Sequence, residues 1–233
     1  MWLMIFGDKG WGNQLAAAAV MTITVATCAF ALGLIFGGFG AAAKLSRFSV
    51  LRLGGEFYTT VFRGVPDLLV IYLFFFGSSN TLMFVAYAFG HTGYLEVNPF
   101  IVGVAAVGII SGAYSTEVFR GAAQMVPKGE IEAAKAFGMG PWLLFRRIMM
   151  PQILRLALPG LSNVWVMALK ETALISVTGL VEIMRQTNIC AGSTKEPFMF
   201  YSIAALLYLF LVSVSILCFH KAEAYTNRGV RRA

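Results

Sequence analysis

Charge is what this sequence has least of: only 12% of its 233 residues are Asp, Glu, Lys or Arg, against about 25% in a soluble domain. With 58% hydrophobic residues beside so little charge, the chain falls outside the soluble globular class. Cysteine and histidine are nearly as scarce. Cys28, Cys190 and Cys218 lie far apart, two of them in apolar runs, so no disulfide framework follows. His91 and His220 share no ligand spacing with the cysteines, and no metal site is predicted. No Gly-xxxx-Gly-Lys-[Ser/Thr] phosphate loop occurs, so the chain is not expected to hydrolyse ATP itself. No basic residue precedes the first apolar run, Lys9 coming after it, and a cleaved secretory signal is not expected. Trp2 and Trp11 suit a segment lying at the lipid–water boundary.

Long apolar runs are what the sequence does have. Crossing a bilayer core of about 30 Å takes roughly 20 apolar residues. Runs at about 15–43, 57–77, 99–119, 157–181 and 200–219 qualify, which predicts one all-α membrane domain with five spans over 1–233. Thr81 to Gly90 is apolar but too short to cross, and reads as an interfacial helix. Thirteen of the eighteen basic residues fall after the first span, between the third and fourth, or after the fifth. That asymmetry places the N-terminus outside and the C-terminus in the cytoplasm. The net charge of +7 is thereby explained by topology and lipid headgroups, with no nucleic acid implied. Gly33 with Gly37, and Gly108 with Gly112, have the spacing that lets helices pack closely in lipid.

One polar stretch interrupts this pattern, between the third and fourth spans. Pro127 can open a helix, and Glu130 and Glu132 suit the positive end of its dipole. The helix formers Ala133, Ala134, Lys135 and Ala136 continue it, and Gly138 and Gly140 stop it. Pro141 begins a second helix, which is expected to end before Pro151. By composition alone the stretch could be a connector resting on anionic headgroups. The small alanines and the glycine bend favour docking against protein.

Glu132-Ala133-Ala134, then Gly138, then Ile148-Met149-Met150-Pro151, resembles the EAA loop of ATP-binding-cassette (ABC) importer permeases. The one departure from EAA-x3-G-x9-I-x-L-P is Met150 in place of Leu. "EFYTTVFRGVPDLLV", "SGAYSTEVFRGAAQMVPKG" and "LKETALISVTGL" extend the resemblance to the polar amino-acid branch. Within it, the chain resembles the HisQ-type subunit of histidine/lysine/arginine/ornithine importers and their octopine and nopaline relatives. The resemblance implies the type I ABC importer fold, in the inner membrane of a bacterium, and a non-catalytic transport subunit. It further implies a second related permease, so a heterodimer, with two ATPase subunits that use ATP and Mg and a periplasmic solute-binding protein. Residues 127–151 would be the coupling loop, with Glu132, Ala133, Ala134, Gly138, Ile148 and Pro151 engaging the ATPase. The alternative is a gradient-driven secondary transporter, with Lys170, Glu171 and Asp67 as an ion relay.

Charges inside spans cost about 2.5–3.5 kcal/mol each near the bilayer centre and need a reason. Lys170 and Glu171 are neighbours, so on a helix they point about 100° apart and call for different partners. Either they join a buried ion network, or Glu171 faces the cationic group of a bound solute. Acidic residues at the matching position line a substrate site in some relatives. Arg63 and Asp67, four residues apart, are expected on one face of span two, either as a local pair or gating the pathway beside Pro66. Glu117 and Arg120 read as a structural ion pair, and Tyr114 and Trp165 as packing residues that could also line a cavity.

Overall fold

The computed structural model describes residues 10–88 and 97–227, so Trp2, Lys9, His91, Arg228, Arg231 and Arg232 lie outside the described residues. Nine α-helices follow in order among the described residues: α1 (Gly12–Lys44), α2 (Ser49–Gly64), α3 (Asp67–Ala88), α4 (Pro99–Met125), α5 (Lys128–Ala136), α6 (Pro141–Leu144), α7 (Met150–Ile175), α8 (Ile183–Thr194) and α9 (Pro197–Thr226). Four helical rods are long and apolar enough to cross a membrane, or five if the bent pair α2–α3 counts as one span.

The centre of the fold is the contact between α1 and α4. A Cβ added at Gly33 would lie 2.2 Å from Ser111 Oγ, and one at Gly37 would lie 2.5 Å from Ser115 Cβ. From the other side, a Cβ at Gly108 would meet Leu32 at 2.8 Å, and one at Gly112 would meet Phe36 Cβ at 2.8 Å. The paired glycines therefore do what their spacing predicts: they remove side chains where two backbones approach. Val25, Ala29, Ala106, Val107 and Ile110 of these helices pack with Val70 and Ile71 of α3 and with Ala168 and Ile175 of α7. α9 buries least and lies at the periphery.

Span two is not the single straight helix expected over 57–77. α2 and α3 meet at 105°. The break follows from Pro66, whose ring disfavours the helical region for the residue before it, and Val65 is extended at φ −92°, ψ 138°. Arg63 thus closes one helix and Asp67 opens the next, so the predicted shared helical face does not exist.

Two further expectations change. The helix begun at Pro141 does not end before Pro151. It runs through a π-helical turn, Phe145–Met149, into α7, giving one rod from Pro141 to Thr178. Met150 N–H bonds back to Phe145 O, and this wider turn accommodates the ring and missing N–H of Pro151. The separate interfacial helix expected at Thr81 to Gly90 is instead, as far as Ala88, the end of α3. Ser78 and Ser79 donate to Phe75 O within that helix, so their polarity ends nothing.

Between α7 and α9 the chain turns at Gly179, φ 93°, and folds α8 across the end of the bundle. Glu182 caps α8, accepting from Met184 N–H at 2.9 Å and Arg185 N–H at 2.8 Å. Cys190 packs there against Leu15 and Phe200.

Candidate functional site

Three elements converge on Glu171. α7 carries it, the start of α3 carries Asp67, and α4 carries Tyr114. Glu171 is 5% exposed, and both its carboxylate oxygens are buried with no hydrogen-bond partner among the described residues. The Asp67 carboxyl lies close enough to share a hydrogen bond with Glu171 when one of the two carries a proton. Tyr114 lies within the electrostatic reach of both carboxyls and of Arg63, whose guanidinium sits 5.3 Å from the centre of the Tyr114 ring. The break at Pro66 aids this convergence, because it turns α3 away from α2 and sets Asp67 at the foot of a new helix.

Two carboxyls side by side repel each other when both are ionised, and Glu171, unlike the half-exposed Asp67, is buried with no donor on either oxygen. A cation placed between them supplies both needs. Arg63 is the nearby cation, yet it forms no ion pair with Asp67 at 4.0 Å or less, and it stacks on Tyr114 instead. Lys170, adjacent to Glu171 but about 100° round the helix, is exposed and does not join the cluster.

The Glu117–Arg120 pair is present, with Arg120 Nη2 donating to Glu117 Oε2 at 2.7 Å and Nε at 2.9 Å. It is part of something larger that the sequence did not signal. Lys44, counted above only for topology, is buried at the end of α1 and pairs with Glu117 and, at 2.9 Å, with Glu56. Trp165 packs edge-on to Phe30 at 5.4 Å and borders an apolar cavity of about 540 Å³ with Phe210 and Phe219, away from the Glu171 cluster.

The polar stretch forms α5, a bend and α6. Gly138 adopts φ 76°, the left-handed conformation that stops α5. Glu132, Ala133 and Gly138 are exposed, Ala134 is buried against the chain's own bundle, Ile148 is half-buried and Pro151 exposed. Ile131 packs against the cluster formed by Ala122, Val126, Ile153, Ala157 and Leu161, and Gln152 donates to Glu130. α5 is thus fastened to both α4 and α7. Phe137 and Trp142, 86% and 71% exposed, flank the bend and present apolar surface beside the EAA residues. Sequence reasoning missed both. Two bulky apolar residues in a charged stretch were the available signal.

At the far end of the bundle, burial pushes the Glu182 carboxyl above its usual range, while the α8 amides and the Tyr208 hydroxyl pull it back.

The sequence pattern of the binding-protein-dependent transport system inner membrane component family matches residues 29–223. The chain belongs to this family. Members of the permease family span the inner membrane several times as transport subunits, and ATP hydrolysis belongs to separate subunits. Membership sets aside the gradient-driven alternative and implies another permease, an ATPase and a solute-binding protein as partners. The chain is 56% identical to the nopaline transport system permease protein NocQ of Agrobacterium fabrum, covering 98% of both chains. It is 42% identical to the histidine/lysine/arginine/ornithine transport system permease protein HisQ of Escherichia coli, covering 96% of this chain and 98% of that one. Among solved structures it is similar to an amino acid ABC transporter crystallised with histidines, with TM-score 0.78, 29% identity, and coverage of 92% and 95%.

Proposed function

We propose that the chain is one of two related permease subunits of an ATP-driven importer for cationic amino acids or opines, and that Glu171 and Asp67 face the cationic group of the solute. The observation that carries this is the buried Glu171 carboxyl, with no donor on either oxygen and a second carboxyl beside it. A guanidinium or ammonium between the two acids provides charge and donors together. The solutes in the names of NocQ and HisQ all carry basic nitrogen. They also carry a carboxylate, for which Arg63 is the complementary group in the cluster. Lys170, on the outward side of α7, would belong to the wall of the pathway contributed against the second permease.

In this reading α2 and α3 together make one broken span, so the chain crosses five times, with its N-terminus outside. α5 is the coupling helix, and Glu132, Ala133, Ala134, Gly138, Ile148 and Pro151 build the loop that an ATPase subunit grips, with Phe137 and Trp142 as its apolar contacts. Two ATPase subunits bind ATP and Mg, the second permease is related but not identical, and a periplasmic binding protein docks on the end capped by α8.

The test is uptake of labelled arginine and nopaline into liposomes holding the complete complex. ATP-driven uptake is expected, and Glu171→Ala should lower its kcat/KM about 10- to 100-fold, the loss of one charge-assisted hydrogen bond. Unchanged kinetics in Glu171→Ala would remove the residue from the pathway. Uptake without the ATPase would overturn the importer reading.

A further inference from the structure

The ammonium of Lys44 has a side chain only 4% exposed, and burying such a charge is costly unless it is fully paired. Here it is fully paired. It bonds Glu117 of α4, Glu56 of α2 at 2.9 Å and the Thr59 hydroxyl of α2 at 2.9 Å. Arg120 closes the other side of Glu117. One lysine at the end of α1 therefore ties three helices together.

The clasp matters because α2 has little else to hold it. Of its residues only Gly55 and Thr59 are buried, and Val50, Leu53 and Phe57 are exposed. Phe62 packs against the central core, and the other fixed points face α1 and α4. A Cβ at Gly55 would come within 2.7 Å of Lys44 Cγ, and the Tyr58 hydroxyl donates to Ile109 O of α4 at 2.7 Å. On the other side of the Val65–Pro66 break, α3 buries Val70 and Ile71 in the central core. α2 is thus fastened to α1 and α4, and the 105° break separates it from α3.

α4 leads into α5 with only Val126 and Pro127 between them. A displacement of α5 reaches α4 directly, and from Glu117 it passes through Lys44 into α2, whose last turn carries Arg63. The clasp also borders a polar cavity of about 550 Å³, walled by Lys44, Arg63, Glu117 and Arg120 among others. A polar space of this size is roomy enough for water, which would let the ion pairs exchange partners if the helices shift.

We infer that Lys44 is a positioning residue of the transport cycle: its clasp on Glu56, Thr59 and Glu117 makes α2, and Arg63 with it, follow α4 and α5 rather than α3. This rests on the importer reading above. Breaking the clasp leaves α5 able to drive the ATPase cycle but lets Arg63 lag, so ATP is spent without solute moving.

The readout is solute transported per ATP hydrolysed in liposomes holding the whole complex and its binding protein. Lys44→Met keeps the length of the stem and removes the charge. It should keep binding-protein-stimulated ATP hydrolysis within about twofold of wild type and lower the ratio about tenfold. Lys44→Arg should restore at least about half of the wild-type ratio, because a guanidinium can bridge the same carboxylates. A wild-type ratio in Lys44→Met overturns the inference, as does an equal loss of hydrolysis and uptake. If Lys44→Met fails to assemble, Thr59→Val and Glu117→Gln decide: lowered ratios support the clasp, and normal ratios in both reduce Lys44 to a structural residue and overturn it. A wild-type complex with no ATP-driven uptake would instead sink the importer reading, and this inference with it.

Discussion

Gly37 and Gly38 are neighbours with opposite roles. A Cβ at Gly37 would strike Ser115 of α4, whereas one at Gly38 meets nothing within 4 Å. Gly37→Leu should therefore force α1 from α4 at a cost of about 1–3 kcal/mol or more, while Gly38→Leu should be near neutral. Thermal unfolding of the two variants in detergent, compared with wild type, checks this, and equal midpoints would contradict the packing. The same scale shows how adjacency misleads. Lys170 and Glu171 are sequence neighbours with unrelated fates, one exposed and one buried. The sequence supplied the reason, the angle between successive helical residues, but not which of the two would face inward. Lys44 was the larger surprise. It follows a long apolar run as a topology-setting lysine should, and nothing local distinguishes it from Arg47 or Arg52. Its burial depends on Glu117, 73 positions away.

Proline sets the geometry of the elements in two different ways. Pro66 ends α2 and turns the chain by 105°, while Pro151 is absorbed into a continuous rod by a π-helical turn. From the sequence the helix was expected to end before Pro151 and to run straight past Pro66, and the outcome is the reverse. Which broke depended on the surroundings: Val65 is extended beside Pro66, whereas the helix before Pro151 could widen to i→i−5 bonding. Glycine acts more predictably. Gly138 takes φ 76°, a conformation a β-branched residue adopts only under strain. Gly138→Val should realign α6 against α5, and about tenfold or greater loss of ATP-driven uptake is expected with the protein still inserted in the membrane. Gly140→Ala, whose φ of −64° suits any residue, is the control and should transport normally. Uptake assays on matched membrane amounts distinguish the two, and normal uptake by Gly138→Val would count against α5 as a lever. α8 was not foreseen at all, since its cap is Glu182, an unusual capping residue, and its partners come from α1 and α9.

At the scale of the whole molecule, the described basic residues at the C-terminal ends of α1, α4 and α9 and around α5 to the start of α7 gather at one end of the bundle. α8 covers the other. If the first end faces the cytoplasm, a cysteine introduced at Arg146 should react with a membrane-impermeant maleimide only after the cells are opened, and one at Glu196 should react in intact cells. Labelling in the reverse pattern would invert the proposed topology. Apolar content, run length, basic asymmetry, glycine spacing and the EAA pattern are all local or additive properties, so the sequence by itself determined the membrane class, the approximate spans, which glycines allow close helix packing and the position of the α5 loop. Tertiary structure alone decided the meeting of Asp67 with Glu171, the clasp around Lys44 and the seating of α8. Each of these joins residues far apart in the chain, and whether a charge ends up buried or paired depends on what other helices bring beside it.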